Sequence, residues 1–223
     1  MPHEPVLMVH GVGSSFDHNW RATGWVDILE GEGRNVIGVT LPGHGVGSVP
    51  ASEDPADTVL RGCPSSGKQV DAVGFSAGGH ALLRAAARCP AAFRRIAVLG
   101  VGDPNEGDNG AQLGDIVDGL EADDEPSSGT ARTIRRLAAG VGNDRFAVAR
   151  FLRAERPPLS AEELAEIRLP TLVVLGENDF AQTAVGLVGA LPAATLVTLP
   201  RTDHFATPTN FHAIEAVVRF LVE

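Results

Sequence analysis

The stretch Val70-Asp71-Ala72-Val73-Gly74-Phe75-Ser76-Ala77-Gly78-Gly79 passes from an apolar, β-rich run through a glycine-flanked turn into an Ala-rich segment, residues 77–88, that Pro90 stops. The first part suits a buried strand, and the second has high helix propensity and little bulk. Between them lies G-x-S-x-G, in the strand–turn–helix setting that gives the motif meaning. The turn is so tight that the flanking positions must be tiny, and it pushes the Ser76 hydroxyl out above the sheet edge. The following helix turns its unpaired N–H groups toward the same point, where a developing negative charge could be held. A serine that only caps a helix is the plainer alternative. The strand before Ser76 and the helix after it favour a nucleophile.

Working outward, the same kind of run recurs. Val6–Val9 precedes His10-Gly11, Val36–Leu41 precedes Pro42-Gly43, and Ile96–Val101 precedes Gly102-Asp103-Pro104. Leu172–Leu175 precedes Gly176, and Thr195–Leu199 precedes Pro200. Near-continuous apolar runs suit strands covered on both faces. Trp25, Ile28 and Leu29 form a helical stripe, and so do Phe211, Ile214, Val217, Val218 and Leu221. Alternating strands and helices predict an α/β fold with a doubly wound, mostly parallel sheet of about six strands. Residues 105–168 break the alternation. They begin polar and Gly-rich at Asn105-Glu106-Gly107-Asp108-Asn109-Gly110 and then show helical stripes at Leu113, Ile116, Val117 and Leu120 and at Phe146, Ala149 and Phe151. Ser160-Ala161-Glu162-Glu163 reads as a capping box. So long a connection between strands predicts a helical cap, 105–168, inserted in a core made of 1–104 and 169–223.

A serine hydroxyl is a weak nucleophile and needs a base held by an acid. On a sheet of this kind the acid and then the base follow later strands. Asp179 falls just past the strand at 172–175, in Gly176-Glu177-Asn178-Asp179, and His204 falls in the loop Arg201-Thr202-Asp203-His204-Phe205 before the last helix. Taken singly, Asp179 would be a helix cap and His204 a surface histidine; together with Ser76 they predict a Ser-His-Asp triad. Asp103 is a rival acid at another strand end, and Asp203 adjoins His204 but should point away from it. His10-Gly11-Val12-Gly13-Ser14-Ser15 is a loop whose glycines let the backbone approach closely. Val12 and Ala77 are the candidate backbone donors to an oxyanion. The loop lacks the third glycine and the lysine of phosphate-binding loops, so a nucleotide reading is weak.

Composition narrows the function classes. The 223 residues include 28 acidic and 18 basic side chains, a formal net charge of −10 that disfavours nucleic acid and anionic lipid surfaces. No apolar run approaches a membrane span, and the first residues lack the basic region of a signal peptide, so a cytoplasmic location is expected. Cys63 and Cys89 form no disulfide framework or zinc spacing. His3, His18, His80 and His212 show no metal-ligand pairing and are expected to be solvated or locally hydrogen-bonded, with His18 worth watching because it lies beyond the glycine loop. Trp20 and Trp25 are expected in the core and against the cap. Glu121–Glu125 reads as a solvated face. Of Phe16, Phe75, Phe180 and Phe205, some should line an apolar pocket, with Phe75 packed beneath the serine turn.

His10-Gly11, Leu41-Pro42-Gly43-His44-Gly45, Gly74-Phe75-Ser76-Ala77-Gly78-Gly79, Gly176-Glu177-Asn178-Asp179 and Asp203-His204-Phe205 together resemble the α/β-hydrolase superfamily, over nearly the whole chain. The resemblance implies an oxyanion hole at Val12 and Ala77 and a structural, loop-bracing role for His44. It also implies a fold without the usual N-terminal hairpin and a stunted helix between Gly47 and Gly67. Dehalogenase and epoxide-hydrolase relatives use an aspartate nucleophile, the latter with cap tyrosines, and dienelactone-hydrolase relatives a cysteine. Ser76 and the absence of any Tyr exclude all three. The expected activity is hydrolysis of a small-molecule acyl compound, a carboxylic ester first, without cofactor or metal. The alternatives are a thioesterase or acyltransferase, a C–C bond hydrolase, and a non-catalytic small-molecule receptor.

Overall fold

The apolar runs become six strands: β1 (Val6–Val9), β2 (Val36–Val39), β3 (Val70–Phe75), β4 (Phe93–Leu99), β5 (Thr171–Gly176) and β6 (Ala194–Leu199). They belong to a computed structural model that describes residues 4–47, 49–103, 109–154 and 156–222. His3 and the polar stretch 104–108, at the start of the expected insertion, lie outside the described residues. All strand pairs are parallel, in the order β2-β1-β3-β4-β5-β6. β1, β3 and β5 are buried along their whole length, whereas the edge strands β2 and β6 are partly open. That is why the continuous runs read as strands covered on both faces.

The order reverses direction at β1. The chain leaves β1 toward β2 on one side and returns to β3 on the other, so the loops after β1 and β3 part and leave a crevice outside the strands' carboxyl ends. The His10–Ser15 loop and Ser76 both stand at this crevice.

The helices are α1 (Trp25–Gly31), α2 (Pro55–Gly62), α3 (Ala77–Arg88), α4 (Asn109–Glu121), α5 (Gly129–Gly140), α6 (Arg145–Arg153), α7 (Ala161–Ala165), α8 (Val185–Ala190) and α9 (Phe211–Val222). Local chemistry sets several starts. Asp54 accepts from the Ala56 N–H ahead of Pro55, Asp144 accepts from the Phe146 N–H, and Ser160 and Glu163 complete the capping box of α7. One face of the sheet is packed by α2, α3, α7 and α8. The other is packed by α1, α9 and the helical turn Asp17–Arg21. Helices α4, α5 and α6, between β4 and β5, share a third cluster around Ile116, Leu120, Ile134 and Val148. Among the described residues no helix is long and apolar enough to cross a membrane.

Several expectations change at this level. Trp20 and Trp25 are fully buried in the second face, edge to face at 5.3 Å, with the Trp25 indole N–H bonded to the Pro208 carbonyl. They pack against the sheet and α9, not against α4–α6. Phe211, Leu113 and Phe146 begin their stripes in sequence but are exposed. Glu121–Glu125 is not simply solvated. Glu121 forms a two-armed pair with Arg153, Glu125 pairs with Arg136, and the Ala122 and Asp124 carbonyls accept from Arg135. The turn therefore gathers arginines at the C-terminal end of α4.

At the opposite end of the sheet from the crevice, buried Asp71 accepts from Arg34 and Arg94. Both guanidiniums also reach the Leu221 carbonyl near the end of α9, and Arg95 reaches the Phe220 carbonyl. Two cations and shared carbonyls make a buried carboxylate tolerable where an unpaired one would not be.

Candidate active site

Ser76 adopts φ +52° and ψ −118°, a backbone that side chains other than glycine rarely take. Its neighbours have no room to share the strain. A Cβ on Gly74 would stand 2.6 Å from the Gly78 carbonyl oxygen, and one on Gly78 would meet the Val9 and His10 carbonyls. Two glycines thus allow the turn to close against β1 while Ser76 projects upward. Ala77 is the first residue of α3, so its N–H has no intrahelical acceptor.

His204 and Asp179 arrive from the loops after β6 and β5. His204 Nε2 lies 3.0 Å from Ser76 Oγ, and its Nδ1 lies 2.9 and 3.0 Å from the two Asp179 oxygens. An ionised carboxylate only accepts, so the Nδ1 proton points at Asp179 and Nε2 is left as an acceptor facing the hydroxyl. Asp179 also accepts from the Ala181 N–H, and both side chains are buried. Three phenylalanines surround the imidazole: Phe180 at 4.0 Å between ring centroids, Phe75 at 4.9 Å and Phe205 at 5.5 Å.

The rival acids are engaged elsewhere. Asp103 accepts the Leu187 N–H at 2.6 Å and holds α8 to the end of β4. Asp203 accepts the Ala206 N–H within its own loop.

In the glycine loop after β1, Gly11 N–H donates to Asn19 Oδ1 and Gly13 N–H to His44 Nε2, both at 2.9 Å. The Val12 N–H between them is left without an acceptor among the described residues, and Val12 and Ala77 border one cavity with Ser76. Asn143, in the turn before α6, donates to the Gly13 and Ser14 carbonyls and accepts from the Gly45 N–H. Neither asparagine was singled out by the sequence, because each reads locally as a turn or helix residue and acts only through distant backbone. Asn143→Ala would remove three bonds worth about 1 kcal/mol each. It is expected to lower the melting temperature by several degrees and to slow any turnover at Ser76 more than a substitution at exposed Arg136 does; calorimetry and initial rates on both variants check this.

Two buried histidines hold the loops beneath. His10 Nε2 accepts from the Leu41 N–H while Nδ1 bonds the Gly11 carbonyl, and His44 Nδ1 bonds the Pro42 carbonyl. Neither ring can take a proton without losing an acceptor role. Burial, with His44 adding, lowers His10 from 6.5 to about 3, and burial lowers His44 to about 4. Between about pH 6.5 and 4 the unfolded chain binds protons that the folded chain refuses. The stabilisation is complete above 6.5 and is lost as pH falls, by up to about 1.4 kcal/mol per pH unit for each ring. The urea midpoint should drop markedly from about pH 7.5 to about pH 5; an unchanged midpoint would show that the rings are charged in the fold.

The cavity above Ser76 has a volume of about 810 Å³ and runs between the crevice and helices α4–α6. Its wall is largely apolar, with Ile116, Ile134, Leu152 and Phe205 among the lining residues. His80, Arg84 and Arg156 line it as well. His80 borders the cavity and is exposed, as expected of it; desolvation against the cavity wall, with Arg84 and His204 beside it, lowers its pKa. His18 lies exposed outside the cavity, and Phe16 packs against Gly38. His212 is exposed beside Glu215, and Cys63 and Cys89 are free thiols. Among the described residues no group of three His, Cys, Asp or Glu could hold a metal ion.

The sequence model of the alpha/beta hydrolase family matches residues 6–220. The chain belongs to this family, and the membership supports hydrolase activity. Solved structures agree at the level of fold. A bromoperoxidase from Bacillus anthracis is 20% identical, with a TM-score of 0.78 over 99% of this chain and 92% of its own. The enol-lactonase from Burkholderia xenovorans LB400 is 20% identical, with a TM-score of 0.76 and the same coverage. The 2-hydroxy-6-oxo-6-phenylhexa-2,4-dienoate hydrolase of Rhodococcus sp. strain RHA1 is 18% identical, with a TM-score of 0.76 over 99% of this chain and 90% of its own. A search of curated proteins finds no match.

Proposed function

We propose that the chain hydrolyses carboxylic esters through an acyl-enzyme on Ser76, with residues 105–168 as the cap over the substrate. The observation that carries this reading is the run of contacts from Asp179 through His204 to Ser76 Oγ, at 2.9 and 3.0 Å, opening on a cavity of about 810 Å³. His204 Nε2 takes the Ser76 proton as Oγ attacks the carbonyl, and the tetrahedral oxyanion lies between the Val12 and Ala77 N–H groups. Each such donor is worth about 3 kcal/mol. His204 then gives its proton to the departing alkoxide, and water, activated by the same imidazole, releases the acid. Asp179 keeps the Nδ1 proton in place and offsets the imidazolium charge.

Thioesters and activated C–C bonds can use the same groups; three phenylalanines around the imidazole and a largely apolar cavity wall suit an uncharged acyl chain next to the scissile carbonyl. The test is a p-nitrophenyl ester panel, acetate through decanoate, with fluorophosphonate labelling of the wild type. Turnover with Ser76 labelled is expected; an unlabelled Ser76 would make the fold a receptor.

A further inference from the structure

α3 carries more than the serine. Ser76 caps it, His80 follows one turn on and Arg84 a turn later, and all three line the cavity. At about 1.5 Å per residue, Arg84 starts roughly 12 Å along the axis from Ser76. There it donates to the Pro157 carbonyl, next to Arg156. Arg156 comes from the opposite wall, stacked on Phe151 at 4.4 Å and donating to the Phe151 carbonyl, with longer contacts to the Ala51 and Glu53 carbonyls at 3.5 Å. Burial disfavours its charge; Asp54 opposes that, and Arg84 adds to it.

The other charges nearby only partly offset the pair. Asp54, hydrogen-bonded by Arg88 and the Ala56 N–H, attracts both guanidiniums as well, one carboxylate among three arginines. Glu163 and Glu166, which border Arg84, face the Ser160 N–H and Arg168, Arg153 is engaged by Glu121, and Asp103 by Leu187. Asp118 lies on α4 across the cavity. Among the described residues neither Arg84 nor Arg156 is ion-paired. In a chain of net charge −10, two neighbouring guanidiniums at the far end of an apolar cavity form a place for an anion. Their planar forks suit the two oxygens of a carboxylate.

We propose that the cavity takes an ester bearing a carboxylate distal to the scissile carbonyl, received by Arg84 and Arg156. The ester part rests on the function proposed above; the carboxylate site does not. The carboxylate could belong to the acyl chain or to the alcohol, and the test separates these. Calorimetry on Ser76→Ala compares monomethyl with dimethyl suberate, and the acetate ester of ω-hydroxyoctanoic acid with its methyl ester. At least one acid is expected to bind about tenfold or more tightly than its neutral partner. Arg84→Gln, added to Ser76→Ala, should bring that ratio close to one, and Arg84→Lys should keep part of it. Because Arg156 is half-buried and its loss could disturb folding, Arg84 carries the test, with thermal unfolding as the check. Ratios near one in both pairs, no measurable binding by any of the four, or a preference that survives Arg84→Gln would overturn the site. A carboxylate preference in a chain that hydrolyses no ester would leave the site standing and remove the esterase reading. Ester hydrolysis without the preference would do the reverse.

Discussion

Ser76→Ala is expected to lower kcat/KM on p-nitrophenyl esters by on the order of 10³- to 10⁶-fold while leaving the fold intact. The size follows from the site. Without Oγ no acyl-enzyme forms, and His204 Nε2, now 3.0 Å from nothing it can deprotonate, can only assist water from a position shaped for another atom. What remains is the oxyanion donors and the enclosing wall. The fold should survive because among the described residues Ser76 Oγ hydrogen-bonds only His204, and alanine accepts the positive φ no worse than serine does. Parallel initial rates and calorimetric melts on the two proteins decide it. A variant that keeps most of its activity would remove Ser76 as nucleophile.

The second large effect is an asymmetry between two buried aspartates at neighbouring strand ends. Asp179→Asn should cost on the order of 10⁴-fold in kcat. An amide placed against His204 Nδ1 can present its NH₂ group there, which favours the tautomer with the proton on Nε2. That nitrogen then cannot accept from Ser76. Asp103→Asn should change kcat by no more than a few-fold, because its amide oxygen still accepts from Leu187 N–H and nothing on the imidazole depends on it. Comparable losses in both variants would mean that the two acids share the histidine.

How far the sequence could be read depended on whether a residue acts locally. Ser76 was legible because its requirements, small neighbours, a strand before and a helix after, are written within ten residues. The parallel sheet was legible because a strand buried on both faces has to be apolar throughout, as β1, β3 and β5 are. Asp179 and His204 could be placed at strand ends and are found there, within reach of Ser76. Asn19 and Asn143 could not be found in this way, since the bonds they make span 8 positions and 98–130 positions. His80 and Arg84 sit on an Ala-rich helix whose polar positions look like a solvent face, and His80 is indeed exposed. That both also line the cavity depends on the overlying α4–α6 layer, whose attachment no local pattern specifies.

The arginines at the foot of the sheet have a mechanical consequence. Arg34, Arg94 and Arg95 grip the carbonyls of Leu221 and Phe220, and Arg34 and Arg94 are themselves anchored on Asp71 of β3. The last turn of a helix, with its carbonyls free, ordinarily frays. Here a pull on the tip of α9 is carried across to β3 and β4 as a shear load on several guanidinium contacts at once. The helix should therefore come away late and abruptly, together with the middle of the sheet, and the strained serine turn at the other end of β3 should feel the load before the helix yields.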